Sequence, residues 1–366
     1  MTLHELMDYA IKEECSDVHI TVGTNLAVRR YGTLHILEDK PTAEESLKMI
    51  YEILSEENVK RIEKGQDVDF GLTYNDDIRL RVNVYHQRNN LAASIRILMK
   101  KIPDIEELGL PHVIKQLAEA PNGIIIVTGP TGSGKTTTLA AVVDYINKTQ
   151  AKHVITVEDP IEYIYPHNMA MIHQRELGKD TPSYAHALHS ALREDPDIIL
   201  VGEMRDFATI SAAITAAETG HLVLSTLHTT SAAQTIDRII DGSPTDQQET
   251  IRQQFAMSVR GVISQQLLPT IDGNARVLAT EIMVGNSAIA NLIRENKTMM
   301  INGAIQSGHK EGMHTLNESL LELFRQGRIS RKQALNASND PVDFDKALGG
   351  GTSLGGSDVN FIGLGF

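Results

Sequence analysis

Eight consecutive residues, Gly129-Pro130-Thr131-Gly132-Ser133-Gly134-Lys135-Thr136, match the full phosphate-binding loop pattern of a glycine, four residues, then Gly-Lys-Thr. Such a loop works because its glycines let main-chain N–H groups turn inward around phosphate oxygens. Lys135 is placed to reach the β- and γ-phosphates of ATP, and the Thr136 hydroxyl to bind Mg²⁺. Thr137 adds the next hydroxyl and is counted with the nucleotide-binding residues. The flanks agree with this reading. Ile124–Val127 is a short apolar run of strand type, and Leu139, Val142, Val143 and Ile146 follow at helical spacing. A helix starting there aims its positive end at the anion.

Phosphoryl transfer also needs a metal, a positioned water and charge stabilisation. Three further segments offer candidates. Asp197–Val201 is an apolar run leading to Gly202 and Glu203, which puts Glu203 where a carboxylate binding Mg²⁺ belongs. Val154–Val157 leads into Glu158-Asp159-Pro160-Ile161-Glu162. These are three carboxylates in five residues, any one of which could orient the attacking water. Leu222–Leu224 leads into Ser225-Thr226-Leu227-His228-Thr229, where His228 could sense the γ-phosphate, with Ser225 and Thr226 as neutral alternatives. His186 and His189 stand three apart on a helix-like stretch but have no evident third ligand, so they do not read as a metal site.

These segments must be carried by a frame. The four apolar runs are each too short for a helix, and helical stretches separate them. This predicts a parallel sheet with crossover helices and ligands at one sheet edge. Residues 1–100 read as a mixed domain. Val18–Val22 and Arg79–Tyr85 alternate like strands, and Ala43–Lys64 has helical spacing. Pro103, Gly109 and Pro111 break the pattern, which places a linker at 101–115 and the nucleotide-binding domain at 116–348, with residues 230–345 mostly helical. Residues 349–366 hold seven glycines and read as a flexible tail. The chain is 366 residues long with a formal charge of −13, 4% aromatic residues and no Trp. That balance argues against nucleic acid as a partner and against a nucleic-acid translocase. The lone Cys15 permits neither an internal disulfide nor a tetracysteine zinc site, which fits the cytoplasm. No signal peptide and no bilayer-spanning run is present. A guanine-recognition N-K-x-D motif is absent, which disfavours GTP.

The ordered boxes resemble the secretion ATPase superfamily that drives type IV pili and type II secretion. They are the phosphate loop, Val157–Tyr163 (the Asp box), Gly202–Asp206 (the Walker B box) and Ser225–Thr229 (the His box). Ser16–Ile20 resembles the family's N-terminal signature. The resemblance covers residues 3–345. It implies an α/β protein with a PAS-like α+β N-terminal domain followed by a RecA-like P-loop ATPase domain with a helical C-terminal part, assembled as a homohexamer. It makes Glu162 the residue that polarises water and Glu203 the metal-site carboxylate, and it implies N-terminal-domain arginines near the phosphates, for which Arg81 and Arg96 are the candidates. Two features select a branch. Extension and secretion members commonly carry the zinc motif that one cysteine excludes, and Ala288–Glu295 resembles a motif of pilus retraction motors, with Ala290 where Arg is usual. The implied activity is ATP hydrolysis powering pilus retraction and twitching motility. Its implied setting is the cytoplasmic face of the inner membrane, against the pilus platform protein and possibly beside a paralogous motor. The alternative within the superfamily is a pilus-assembly or type II secretion ATPase.

Overall fold

The structure, a computed structural model, describes residues 1–348 other than 31, 76–77 and 99–100. The expected tail lies outside the described residues. The N-terminal domain runs α1 (Leu3–Lys12), β1 (Asp17–Thr21), β2 (Ala27–Arg30), β3 (Thr33–Ile36), α2 (Ala43–Glu52), α3 (Glu56–Glu63), β4 (Val68–Tyr74), β5 (Ile78–Gln87) and β6 (Asn90–Leu98). Its strands form one antiparallel sheet in the order β3-β2-β1-β6-β5-β4. The alternation of β5 buries Leu80, Val82 and Val84 and leaves Arg79 and Arg81 on the opposite face. The helix expected over Ala43–Lys64 is two helices. Ser55 accepts a hydrogen bond from the Asn58 amide and so starts α3 afresh.

The second domain contains α4 (Val113–Ala118), β7 (Gly123–Thr128), α5 (Lys135–Thr149), β8 (His153–Glu158), β9 (Met171–Glu176), α6 (Tyr184–Ala191), β10 (Ile198–Val201), α7 (Phe207–Glu218) and β11 (Leu222–Leu227). It continues through α8 (Ala232–Asp241), α9 (Gln248–Ser258), β12 (Val259–Pro269), β13 (Arg276–Val284), α10 (Ser287–Arg294), α11 (Ile301–Ser307), α12 (Leu316–Arg325), α13 (Arg331–Ala337) and α14 (Pro341–Ala347). One seven-stranded sheet has the order β13-β12-β7-β11-β10-β8-β9. The four strands read from apolar runs form its parallel centre, β7-β11-β10-β8, and their C-terminal ends share one edge. Apolar side chains fill both faces of this sheet, as two separate clusters.

The segment 230–345 is mostly helical and also contains two strands, since β12 runs parallel to β7 and turns back through β13. One expectation needs correction. The stretch 101–115 is not a free linker. Ile105, Leu110, Val113 and Ile114 are buried in the core that α5 also lines, and Lys148 of α5 pairs with Asp104 at 2.8 Å. Burying these apolar side chains fixes the segment to the ATPase domain. Among the described residues, no helix is long and apolar enough to cross a membrane.

Candidate nucleotide site

The phosphate loop leaves β7 at Thr128 and enters α5 at Lys135. Gly129 has φ +147°, and a Cβ there would stand 2.3 Å from the Gln265 carbonyl oxygen and 2.7 Å from the Ser133 hydroxyl. Only glycine fits both the conformation and the space. Gln265, on β12 and 1% exposed, donates from its side-chain amide to the Ser133 carbonyl at 2.6 Å. A strand that the sequence reading missed therefore holds the loop from behind. The Lys135 ammonium donates to the Gly129 and Pro130 carbonyls at 2.9 and 3.1 Å and to His228 Nδ1 at 3.4 Å. Burial lowers its pKa, and the nearby Glu203 charge acts in the opposite direction. Thr131, Gly132 and Thr136 are exposed around the loop mouth, and Gly134, at φ +88°, precedes the helix. Thr137 hydrogen-bonds the Tyr163 hydroxyl at 3.1 Å and so ties the first turn of α5 to the Asp box.

The three Asp-box carboxylates have different environments. Glu158 is buried at the end of β8. It accepts from the Thr156 hydroxyl at 2.6 Å and the Gln174 amide at 3.3 Å, and burial pushes its pKa up to about 7. Asp159 is exposed. Glu162 is half-buried and faces the site, with Arg81 Nη1 at 3.7 Å from its carboxylate. Burial raises its pKa, while Arg81, Arg96 and the Thr136 hydroxyl each pull it down. A carboxylate that retains basicity beside the hydroxyl of the phosphate loop is suited to taking a proton from water.

Glu203, just past β10, accepts from Arg205 Nε at 2.8 Å and lies 3.3 Å from His228 Nε2. Lys135 can only donate, so His228 Nδ1 accepts and its Nε2–H points at Glu203. His228 thus links the phosphate-loop lysine to the Walker B carboxylate. Behind it, the Thr128 hydroxyl lies 2.7 Å from that of Thr229, which lies 2.7 Å from that of Thr235 on α8.

Arg81 and Arg96 are direct partners across β5 and β6. Arg81 pairs with Asp69 at 2.8 Å, and Arg96 with Asp17 at 2.9 Å. The structure thus puts Arg81 against Glu162. Arg96 is more exposed and acts on Glu162 through its charge. Arg79, two residues before Arg81 and on the same strand face, was not singled out from sequence. It bonds the Ile161 carbonyl at 3.2 Å and Glu176 at 2.8 Å. Strand alternation was the one signal available for it.

Residues 1–312 match the family described as Type II/IV secretion system protein. The chain is 44% identical to a Pseudomonas aeruginosa protein named type IV pilus retraction ATPase PilT, over 94% of this chain and all of that one. It is 47% identical to a Neisseria gonorrhoeae protein named twitching motility protein, over 81% of each. A solved structure of the pilus retraction motor PilT with bound ADP superimposes with a TM-score of 0.88 at 45% identity, covering 94% of this chain and 99% of that one. A phosphate loop, an acidic sheet edge and an arginine-bearing N-terminal sheet in this arrangement, matched along nearly the whole chain, place it in the type II/IV secretion system protein family.

Proposed function

We propose that this chain is the motor that powers retraction of a type IV pilus by hydrolysing ATP, working as a homohexamer. The observation that carries this reading is the likeness to retraction ATPases over almost its entire length, with both domains in register. The protein is an ATP hydrolase. In the mechanism we infer, Lys135 and the main-chain amides from Gly129 to Thr136 hold the phosphates. Glu162 orients the attacking water and accepts its proton. Arg81 and Arg96 bring positive charge from the N-terminal domain toward charge developing on the phosphoryl group, and His228 reports on the γ-phosphate to Glu203. The hard oxygen donors of Thr136 and Glu203 would hold Mg²⁺, which would supply positive charge against the phosphates.

The same proposal places the protein on the cytoplasmic side of the inner membrane against the pilus platform protein, beside a paralogous motor where one is made. α10 supplies the contact in this reading. Ile289 and Ile293 are buried, Ala290 packs toward the core, and Asn291 and Arg294 are exposed and bonded to each other. Nucleic acid has no part in this reading.

The test is genetic. A strain lacking the protein should extend pili and fail to retract them, and the intact gene should restore retraction. Complementation with Lys135→Ala should fail. Asn291→Ala/Arg294→Ala should keep ATPase activity and hexamer formation but lose motility. A null strain without surface pili, or one that retracts normally, would point to pilus assembly or secretion instead.

A further inference from the structure

β5 contacts the Asp box at two successive residues. Arg81 faces the Glu162 side chain, and Arg79 holds the main chain of Ile161, the residue before it. Ile161 is gripped from both sides. Its carbonyl accepts from Arg79 Nε at 3.2 Å, and its amide donates to Glu176 Oε2 at 3.3 Å. The circle is closed by Arg79 Nη2, which bonds the same Glu176 oxygen at 2.8 Å. Glu176 is 4% exposed, and its other oxygen pairs with Lys179 at 2.5 Å. Lys179 in turn donates to the Gly71 carbonyl on β4 at 3.2 Å. Gly71 leaves room for this arrangement, since a Cβ there would stand 2.4 Å from Arg79 Nη2.

We propose that Arg79 and Glu176 are positioning residues for hydrolysis, forming a clamp that sets the main chain at Ile161 and makes the placement of Glu162 depend on the seating of the N-terminal domain. This rests on the reading of Glu162 as the water-orienting carboxylate. The planar guanidinium is what the clamp requires. One fork reaches a carbonyl and a carboxylate together, which the single ammonium of lysine does not reproduce. Displacing a catalytic group by about 1 Å costs on the order of 100-fold in rate. Losing the clamp should therefore lower kcat and leave the KM for ATP nearly unchanged, because the phosphate cradle lies on other elements.

The experiment is a double-mutant cycle on the full-length hexamer, read as phosphate release at saturating and limiting ATP. Arg79→Ala and Arg79→Lys should each reduce kcat at least tenfold, with KM within about twofold of wild type. Glu176→Gln keeps an acceptor for the Ile161 amide and should fall between these variants and wild type. Adding Arg79→Ala to a Glu162→Gln protein should change the residual rate by less than twofold, since a positioning residue has nothing left to position. An equal further loss in that background would overturn the clamp, as would a wild-type kcat in Arg79→Ala. Full activity of Glu162→Gln alone would instead refute the reading of Glu162, and the clamp's role would fall with it. Should Arg79→Ala fail to assemble, Arg79→Lys and Glu176→Gln carry the same cycle.

Discussion

Glu158→Gln should make this protein more stable in alkaline solution and leave it almost unchanged in acid. The Glu158 carboxylate is 6% exposed, and two neutral donors, the Thr156 hydroxyl and the Gln174 amide, do not compensate for its loss of water. Burial lifts its pKa from 4.5 to about 7. Between those values the folded protein holds a proton that the unfolded chain has released. The stabilisation from this group is therefore complete below about pH 4.5 and is lost as the pH rises through about 7. The displacement is equivalent to roughly 3 kcal/mol between the two ends of that window. Glutamine has the same shape and no charge to bury, so the variant should escape this penalty. At roughly 2–4 °C per kcal/mol for a domain of this size, its Tm should exceed that of wild type by roughly 6–12 °C near pH 8.5. The gap should close by about pH 5. Thermal unfolding followed by circular dichroism at several pH values measures this directly. A Tm difference that does not vary with pH would refute the reasoning.

Other outcomes follow from the site. Glu162→Gln should bind ATP with Mg²⁺ nearly normally and hydrolyse it on the order of 100-fold more slowly, whereas Glu203→Gln should raise the Mg²⁺ concentration needed for activity; a magnesium titration of phosphate release distinguishes the two, and unimpaired turnover in both would remove the acidic edge from the mechanism. Gly129→Ala forces a side chain into a left-handed backbone against the Gln265 carbonyl, and strain of about 1–3 kcal/mol there should weaken binding of a fluorescent ATP analogue by roughly 5- to 150-fold, with wild-type affinity as the contrary result.

The phosphate loop was legible because every part of it is local. Glycines, lysine and hydroxyls lie within nine residues, between a strand and a helix with plain hydrophobic patterns. The four central strands were legible for the same reason, being apolar on both faces. β12 was not, because α9 passes into it with no turn between Ser258 and Val259, so no break in the pattern marks the change. β9 reads Met-Ile-His-Gln-Arg-Glu, too polar for a buried strand, since it forms the sheet's edge. The three Asp-box acids were indistinguishable by spacing alone. What separates them is the depth of each in the fold and the arrival of Arg81 from another domain. Arg79 lies 97 residues from Glu176, and Gln265 132 residues from Ser133. No local pattern encodes partners at that distance.

The placement of β12 has a mechanical consequence. It lies between β7, which carries the phosphate loop, and β13, on which Leu316, Leu320, Ile329, Ala334 and Phe344 of the C-terminal region pack through Val277 and Ala279. Glu281 of β13 also accepts the first main-chain amides of α8 and α12. Loop, sheet and C-terminal helices are therefore joined through hydrogen-bonded neighbouring strands and dry packing, which deform little under load. The N-terminal sheet meets this body at the Asp box and β9 through the ion pairs and hydrogen bonds of Arg79, Arg81 and Lys179. Stiffness is thus unevenly distributed. A pull on the C-terminal helices would reach the phosphate loop with little elastic loss, and the polar seam between the two sheets is the joint that yields.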